Sequence, residues 1–200
     1  MKRYFLYTVI LLTLSSCSYD LLEKTIFTPD ENDSNLPAYT EWGYNSFGAE
    51  YERWYFFATY DIVPCKVVYQ DGILNFTLCG CIGPTFSFWS NINKINLTFS
   101  FPTSTIKDFK DLMVLHKKEI DLTDSSCEVV MTIDSQKEVL SVLSGRLNFK
   151  RAQLLRLDDK ENRVILSGIF NLQFLDEDMP VSISNGRFDL GIKDVFNIDE

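Results

Sequence analysis

The chain has 200 residues, with 19 Lys or Arg against 28 Asp or Glu and a net charge of −9, and it is rich in aromatics, with 16 Phe, nine Tyr and three Trp. That length gives one well-buried domain and little more, and so many aromatics with few long Ala/Glu/Lys/Leu runs favour strands over helices. An acidic surface without a Lys/Arg cluster repels phosphate backbones and anionic headgroups, which excludes nucleic acid as a partner.

The first residues read as a lipoprotein signal. Lys2 and Arg3 make a positive start, Tyr4 to Leu14 is a largely apolar run, and Leu14-Ser15-Ser16-Cys17 closes it. The run is too short to span a bilayer and ends in small residues, so residues 1–16 are expected to be removed as a signal peptide. Cys17 then carries the anchor, a diacylglycerol thioether with a further acyl chain on its amine, which suffices for stable attachment. Removal takes out Lys2 and Arg3 and no acid, so the mature charge falls to −11. Residues 18–42 are acidic and hold Pro29 and Pro37. With Cys17 they read as a tether that would hold a single β domain, residues 43–200, roughly 25–30 Å from the lipid. Ser18-Tyr19-Asp20 only partly matches an acidic surface-export signal, so periplasmic and surface display both stay open.

In the domain, Asn45 to Glu50 and then Trp54 to Tyr60 are expected strands around a turn at Tyr51-Glu52-Arg53. The second has two apolar faces, Trp54/Phe56/Ala58/Tyr60 and Tyr55/Phe57/Thr59. Either both are buried or one is an exposed aromatic platform, and Trp54, Tyr55 and Phe57 are therefore candidate ligand contacts. Asp71-Gly72 between alternating runs marks a two-residue hairpin with Gln70 opposite Ile73 and Cys65 opposite Leu78. In that register Cys65 cannot bridge Cys79 or Cys81.

Phe86 and Phe88 point inward and leave Trp89 outward, a further candidate sugar-stacking residue; Ile95, Leu97, Phe99 and Phe101 then alternate with polar residues. Ile106, Phe109 and Met113 recur with helical spacing and predict a short helix over residues 105–115, with His116 a surface residue at its end. Cys127 shares the inward phase of Val129 and Met131, so Cys65 and Cys127 are either a disulfide across the domain or two buried thiols. Cys79-Gly80-Cys81 with a single histidine is poor spacing for zinc, and neither a metal site nor a cofactor is expected. Residues 147–157 and 164–175 form a long hairpin whose first arm slips phase at 150–152, as a bulge would make it do. In the last strand Val181 and Ile183 have one parity and Phe188, Leu190 and Ile192 the other, a change that a bulge at Asn185-Gly186 absorbs. Such turn spacing gives an all-β fold, an antiparallel β-sandwich or flattened barrel of about nine or ten strands with one short helix.

The segments Asn45-Ser46-Phe47-Gly48, Tyr69-Gln70-Asp71-Gly72-Ile73-Leu74, Gly145-Arg146-Leu147-Asn148-Phe149, Leu166-Ser167-Gly168-Ile169-Phe170 and Ser184-Asn185-Gly186-Arg187-Phe188-Asp189 occur in an order that resembles a group of small Bacteroidetes lipoproteins whose globular part is a domain of unknown function. The resemblance implies a β-rich envelope lipoprotein with no established activity, so it offers no catalytic residues to carry over, and the expected location is the outer membrane. The expected function is a lipid-anchored, non-catalytic envelope protein that binds a glycan, a peptide or an envelope partner. The alternatives are a structural subunit of a surface fibre or envelope complex, and a carboxylate-based hydrolase. No nucleophile elbow, zinc-protease motif or phosphate loop occurs in the sequence.

Overall fold

The structure, a computed structural model, describes residues 25–60, 62–86, 94–157 and 160–197. Its first strands are β1 (Ser46–Tyr51), β2 (Trp54–Phe57), β3 (Cys65–Gln70), β4 (Ile73–Gly83) and β5 (Lys94–Pro102). A 3-10 helix (Phe109–Leu115) separates these from β6 (Glu119–Asp121), β7 (Glu128–Ile133), β8 (Gln136–Val139) and β9 (Ser141–Leu157). The chain ends with β10 (Lys160–Asp176), β11 (Met179–Ile192) and β12 (Phe196–Asn197).

Ten of the strands form one open, curled, mostly antiparallel sheet, a half-barrel, in the order β6-β9-β10-β11-β1-β2-β4-β5-β7-β8. β4 is long enough to pair β2 at one end and β3 at the other, and β12 adds to β3 in parallel. The curl brings Phe76 of β4 against Phe149 and Phe188 of β9 and β11, with ring centroids 5.4 and 5.2 Å apart, and Phe99 of β5 against Phe170 of β10 at 5.6 Å. Tilted and edge contacts of this kind are favoured by the ring quadrupoles. Each fully buried Phe contributes about 1.5–3 kcal/mol of hydrophobic stabilisation.

Local sequence sets the registers. Asp71 and Gly72 both have positive φ, the conformation that matches a two-residue turn to the twist of its strands, and Cys65 pairs with Leu78 as the hairpin requires. β9 bulges where two residue steps, Phe149 to Arg151, face one step of β10. β11 bulges at Asn185, φ 51°, where three of its steps face two on both neighbours, so Ile183, Phe188, Leu190 and Ile192 all reach the core despite opposite parities.

Two local expectations change. The helix is a 3-10 helix that starts only at Phe109, after the buried Ile106, and it buries Leu112 and Leu115 while Met113 stays exposed. Leu112 and Leu115 lie three apart, the period of a 3-10 turn, whereas Met113 fits only the 3.6-residue period. The cysteines at 65, 79, 81 and 127 are all free thiols. Cys65 and Cys127 do share an inward phase, but β4 and β5 separate their strands. Three strand spacings of about 4.8 Å put them far outside disulfide reach.

Candidate functional site

The acidic segment expected to hang free is instead packed on the domain from Thr25 onward and forms a strap across the outer face of the sheet. Phe27 stacks on Phe86 at 3.6 Å, Phe86 lies 5.1 Å from Phe57, and the Tyr55 hydroxyl donates to Asp33. Pro29 and Pro37 close a small loop as a β-bridge, and Leu36 is fully buried. β1 carries Gly48 under that loop, where any Cβ would collide with Pro37.

The acids of the segment are its fasteners. Asp30 pairs with Arg187 of β11 at 2.6 Å, with both side chains under one-fifth exposed, and Glu41 pairs with Arg151 of β9 at 2.6 Å. The backbone N–H of Asn32, with Arg187 beside it, holds the Asp30 carboxyl below its usual range. Arg151 does the same for Glu41, and burial together with a hydrogen bond to Glu41 pushes the Tyr39 phenol well up. The central fastener is Asp189, only 2% exposed. Its phase points away from the core formed by Phe188 and Leu190, yet the strap covers it. Its Oδ2 accepts from the Thr40 hydroxyl and from the N–H groups of Trp42 and Tyr44, and its Oδ1 accepts from the Gly43 N–H and the Ser167 hydroxyl. Five donors on one carboxylate compensate its burial.

The strap borders a groove of about 370 Å³ on the outer face of β9, β10 and β11, lined by Tyr39, Glu119, Arg146, Asn148, Ile169, Asn171, Asn185 and Arg187. Strand alternation sends these side chains outward while Leu147, Phe149 and Phe170 fill the core. Glu119 bridges Arg146 and Asn148 at 2.9 Å each, Asn171 Oδ1 accepts from the Arg146 N–H, and Asn185 donates to Glu50 at 2.8 Å. These bonds fix the side chains and leave Asn148 Oδ1, Asn185 Oδ1 and the Asn171 amide N–H₂ without partners among the described residues. A fixed set of donors and acceptors beside the exposed Tyr39 ring can bind a polar ligand without first ordering itself. A second cavity of about 220 Å³ opens at one end of the half-barrel, between β3 and the ends of β10 and β11. It is lined by Val63, Lys66, Arg163, Ile192, Lys193 and Phe196 among others.

The structure does not gather the aromatic platform that the sequence suggested. Phe57 is fully buried and Tyr55 half-buried, because the strap and Phe86 cover their face. Trp54 is about half exposed, at the start of β2. Trp89 and Cys17 lie outside the described residues. His116, exposed as expected, accepts a hydrogen bond at Nδ1 from the Ala152 N–H. Among the described residues no group of three or more His, Cys, Asp and Glu could hold a metal ion. The groove escaped sequence reasoning although much of it stands in the quoted segments. Gly145–Phe149, Leu166–Phe170, Ser184–Asp189 and Asn45–Gly48 come to lie side by side on β9, β10, β11 and β1.

Residues 1–18 match the family model of the prokaryotic membrane lipoprotein lipid attachment site. The chain is thus a lipid-anchored, membrane-associated protein. No curated protein and no solved structure matches the chain. Among the described residues no helix is long and apolar enough to cross a membrane.

Proposed function

We propose that this lipid-anchored chain is a non-catalytic glycan-binding protein of the outer membrane, and that the groove under Tyr39 is its binding site. The observation that carries the reading is the lining itself. Three asparagines, held by Glu119, the Arg146 N–H and Glu50, offer amide donors and acceptors to sugar hydroxyls, and the Tyr39 ring offers a face for the apolar side of a pyranose. An apolar peptide would find only Ile169 and the ring to bury. The carboxylates in contact with the groove lining, Glu119, Glu50, Asp30 and Glu41, are each committed to holding neighbouring side chains, which supports recognition over acid–base chemistry. The outer-membrane assignment draws on the likeness to small Bacteroidetes lipoproteins. The fibre-subunit alternative has less support, because β1 and β11, the strands whose free edges would favour it, are each paired on both sides.

The test is a glycan array probed with the Cys17→Ala chain, which should fold and leave the membrane fraction. A defined class of sugar should bind, and Tyr39→Ala and Asn148→Ala should each weaken that binding at least tenfold while circular dichroism shows the chain still folded. Equal binding by all three chains, or no sugar bound at all, would refute the assignment.

A further inference from the structure

The cavity end of the half-barrel is distinct from the groove, and its position relative to the anchor is constrained. Cys17 and Thr25 are eight residue steps apart, so whatever path the chain takes they lie within roughly 28 Å of each other. Thr25 is fixed: it is 2% exposed and its hydroxyl donates to the Thr59 carbonyl, while the Ile26 N–H donates to Tyr44 at 2.8 Å. Tyr44 leads directly into Asn45, which lines the cavity. Thr25, the first described residue after Cys17, therefore lies beside the cavity.

That end is unusually apolar for so acidic a protein. Val63 and Phe196, which line the cavity, are 77 and 56% exposed, and Lys66 lies over the Phe196 ring with its Nζ 5.7 Å from the centroid. Lys193 and Asp194 line the same cavity. Exposed aliphatic and aromatic side chains with lysines beside them are the composition of a surface that rests at the headgroup boundary of a bilayer. We infer that this end of the half-barrel docks on the phospholipid surface that holds the Cys17 lipid, with Val63 and Phe196 at the acyl boundary and Lys66 among the headgroups. The anchor keeps this patch at high local concentration, so a contact too weak to recruit a free protein still orients an attached one. The acidic remainder is repelled from anionic headgroups and turns outward. The β10–β11 turn at Met179 lies about twelve residue steps along the hairpin from the cavity, at the hairpin's other end.

The inference rests on acylation at Cys17 and not on the glycan reading, and the intact mass of the purified chain establishes that acylation first. The acylated full chain is reconstituted in phosphatidylethanolamine–phosphatidylglycerol vesicles with benzoylphenylalanine in place of Val63 or, separately, of Met179, which is 70% exposed. After irradiation the Val63 position should yield at least fivefold more phospholipid adduct than the Met179 position, and Phe196→Glu with Lys66→Glu should abolish that difference. Equal yields at the two positions, or adducts at Val63 only to a second copy of the chain, would overturn the inference.

Discussion

Asp189→Asn tests how the strap is held. The amide keeps the shape of the carboxylate but must turn an N–H₂ toward one set of donors. If Nδ2 takes the place of Oδ2, the Trp42 and Tyr44 N–H groups both lose their acceptor. If it takes the place of Oδ1, the Gly43 N–H loses its acceptor, whereas the Ser167 hydroxyl can rotate and accept. The second orientation is cheaper, and it still orphans one covered backbone donor at about 1–3 kcal/mol. The hydrogen bonds that survive lose their charge assistance and roughly half their strength, so the total cost should be about 2–4 kcal/mol. Ser167→Ala removes one of five donors and should cost only about 1 kcal/mol. Urea unfolding gives both values, and amide exchange at residues 40–44 shows whether the loss is in the strap. A loss under about 0.5 kcal/mol for Asp189→Asn, or a larger one with unchanged protection at Trp42 to Tyr44, would refute the account of the strap.

Acid should loosen the same element. Asp30 and Glu41 have folded pKa values below their ordinary ones, so each contributes stability that is present above the ordinary carboxylate range and is lost as pH falls through the folded value. Melting temperature should therefore drop below about pH 4, and Arg151→Gln, which removes the main cause of the Glu41 shift, should make that drop shallower; an identical acid profile in the variant would contradict the assignment. The free thiols give a third prediction. Burial pushes Cys65, Cys79 and Cys127 above the usual thiol range, so in the native chain they should alkylate at pH 8 far more slowly than in the unfolded chain, where Cys65, Cys79, Cys81 and Cys127 should all react without reductant. Fewer than four reactive thiols after unfolding would mean that a disulfide exists.

The legible parts of this fold are those whose cause is local. Asp71-Gly72 names its own turn, and the parity break at Asn185-Gly186 names its own bulge, because period two allows no other way to keep Ile183 and Phe188 in one core. The strap was illegible for the opposite reason. Its prolines and acids have the composition of a tether, and what fastens them, Arg187, Arg151 and Asp189, lies 157, 110 and about 145 residues downstream. The same distance hid the fate of Tyr55 and Phe57, whose apolar face reads equally well as a ligand platform or as a seat for another part of the chain. The protein's own residues 27 and 33, with Phe86, occupy it. The groove was half visible. Outward polar residues on β9 to β11 follow from alternation, but only the strand order brings Asn148, Asn171 and Asn185 to one place.

The account stands most directly on where a bound glycan touches the protein. With the sugar class from the array in hand, side-chain amide resonances of the Cys17→Ala chain can be followed by NMR during titration. The account predicts shifts at Asn148, Asn171 and Asn185, with the residues lining the cavity end unmoved. Shifts confined to the cavity around Val63 and Phe196, or to Trp54, with the three asparagines unchanged, would contradict it.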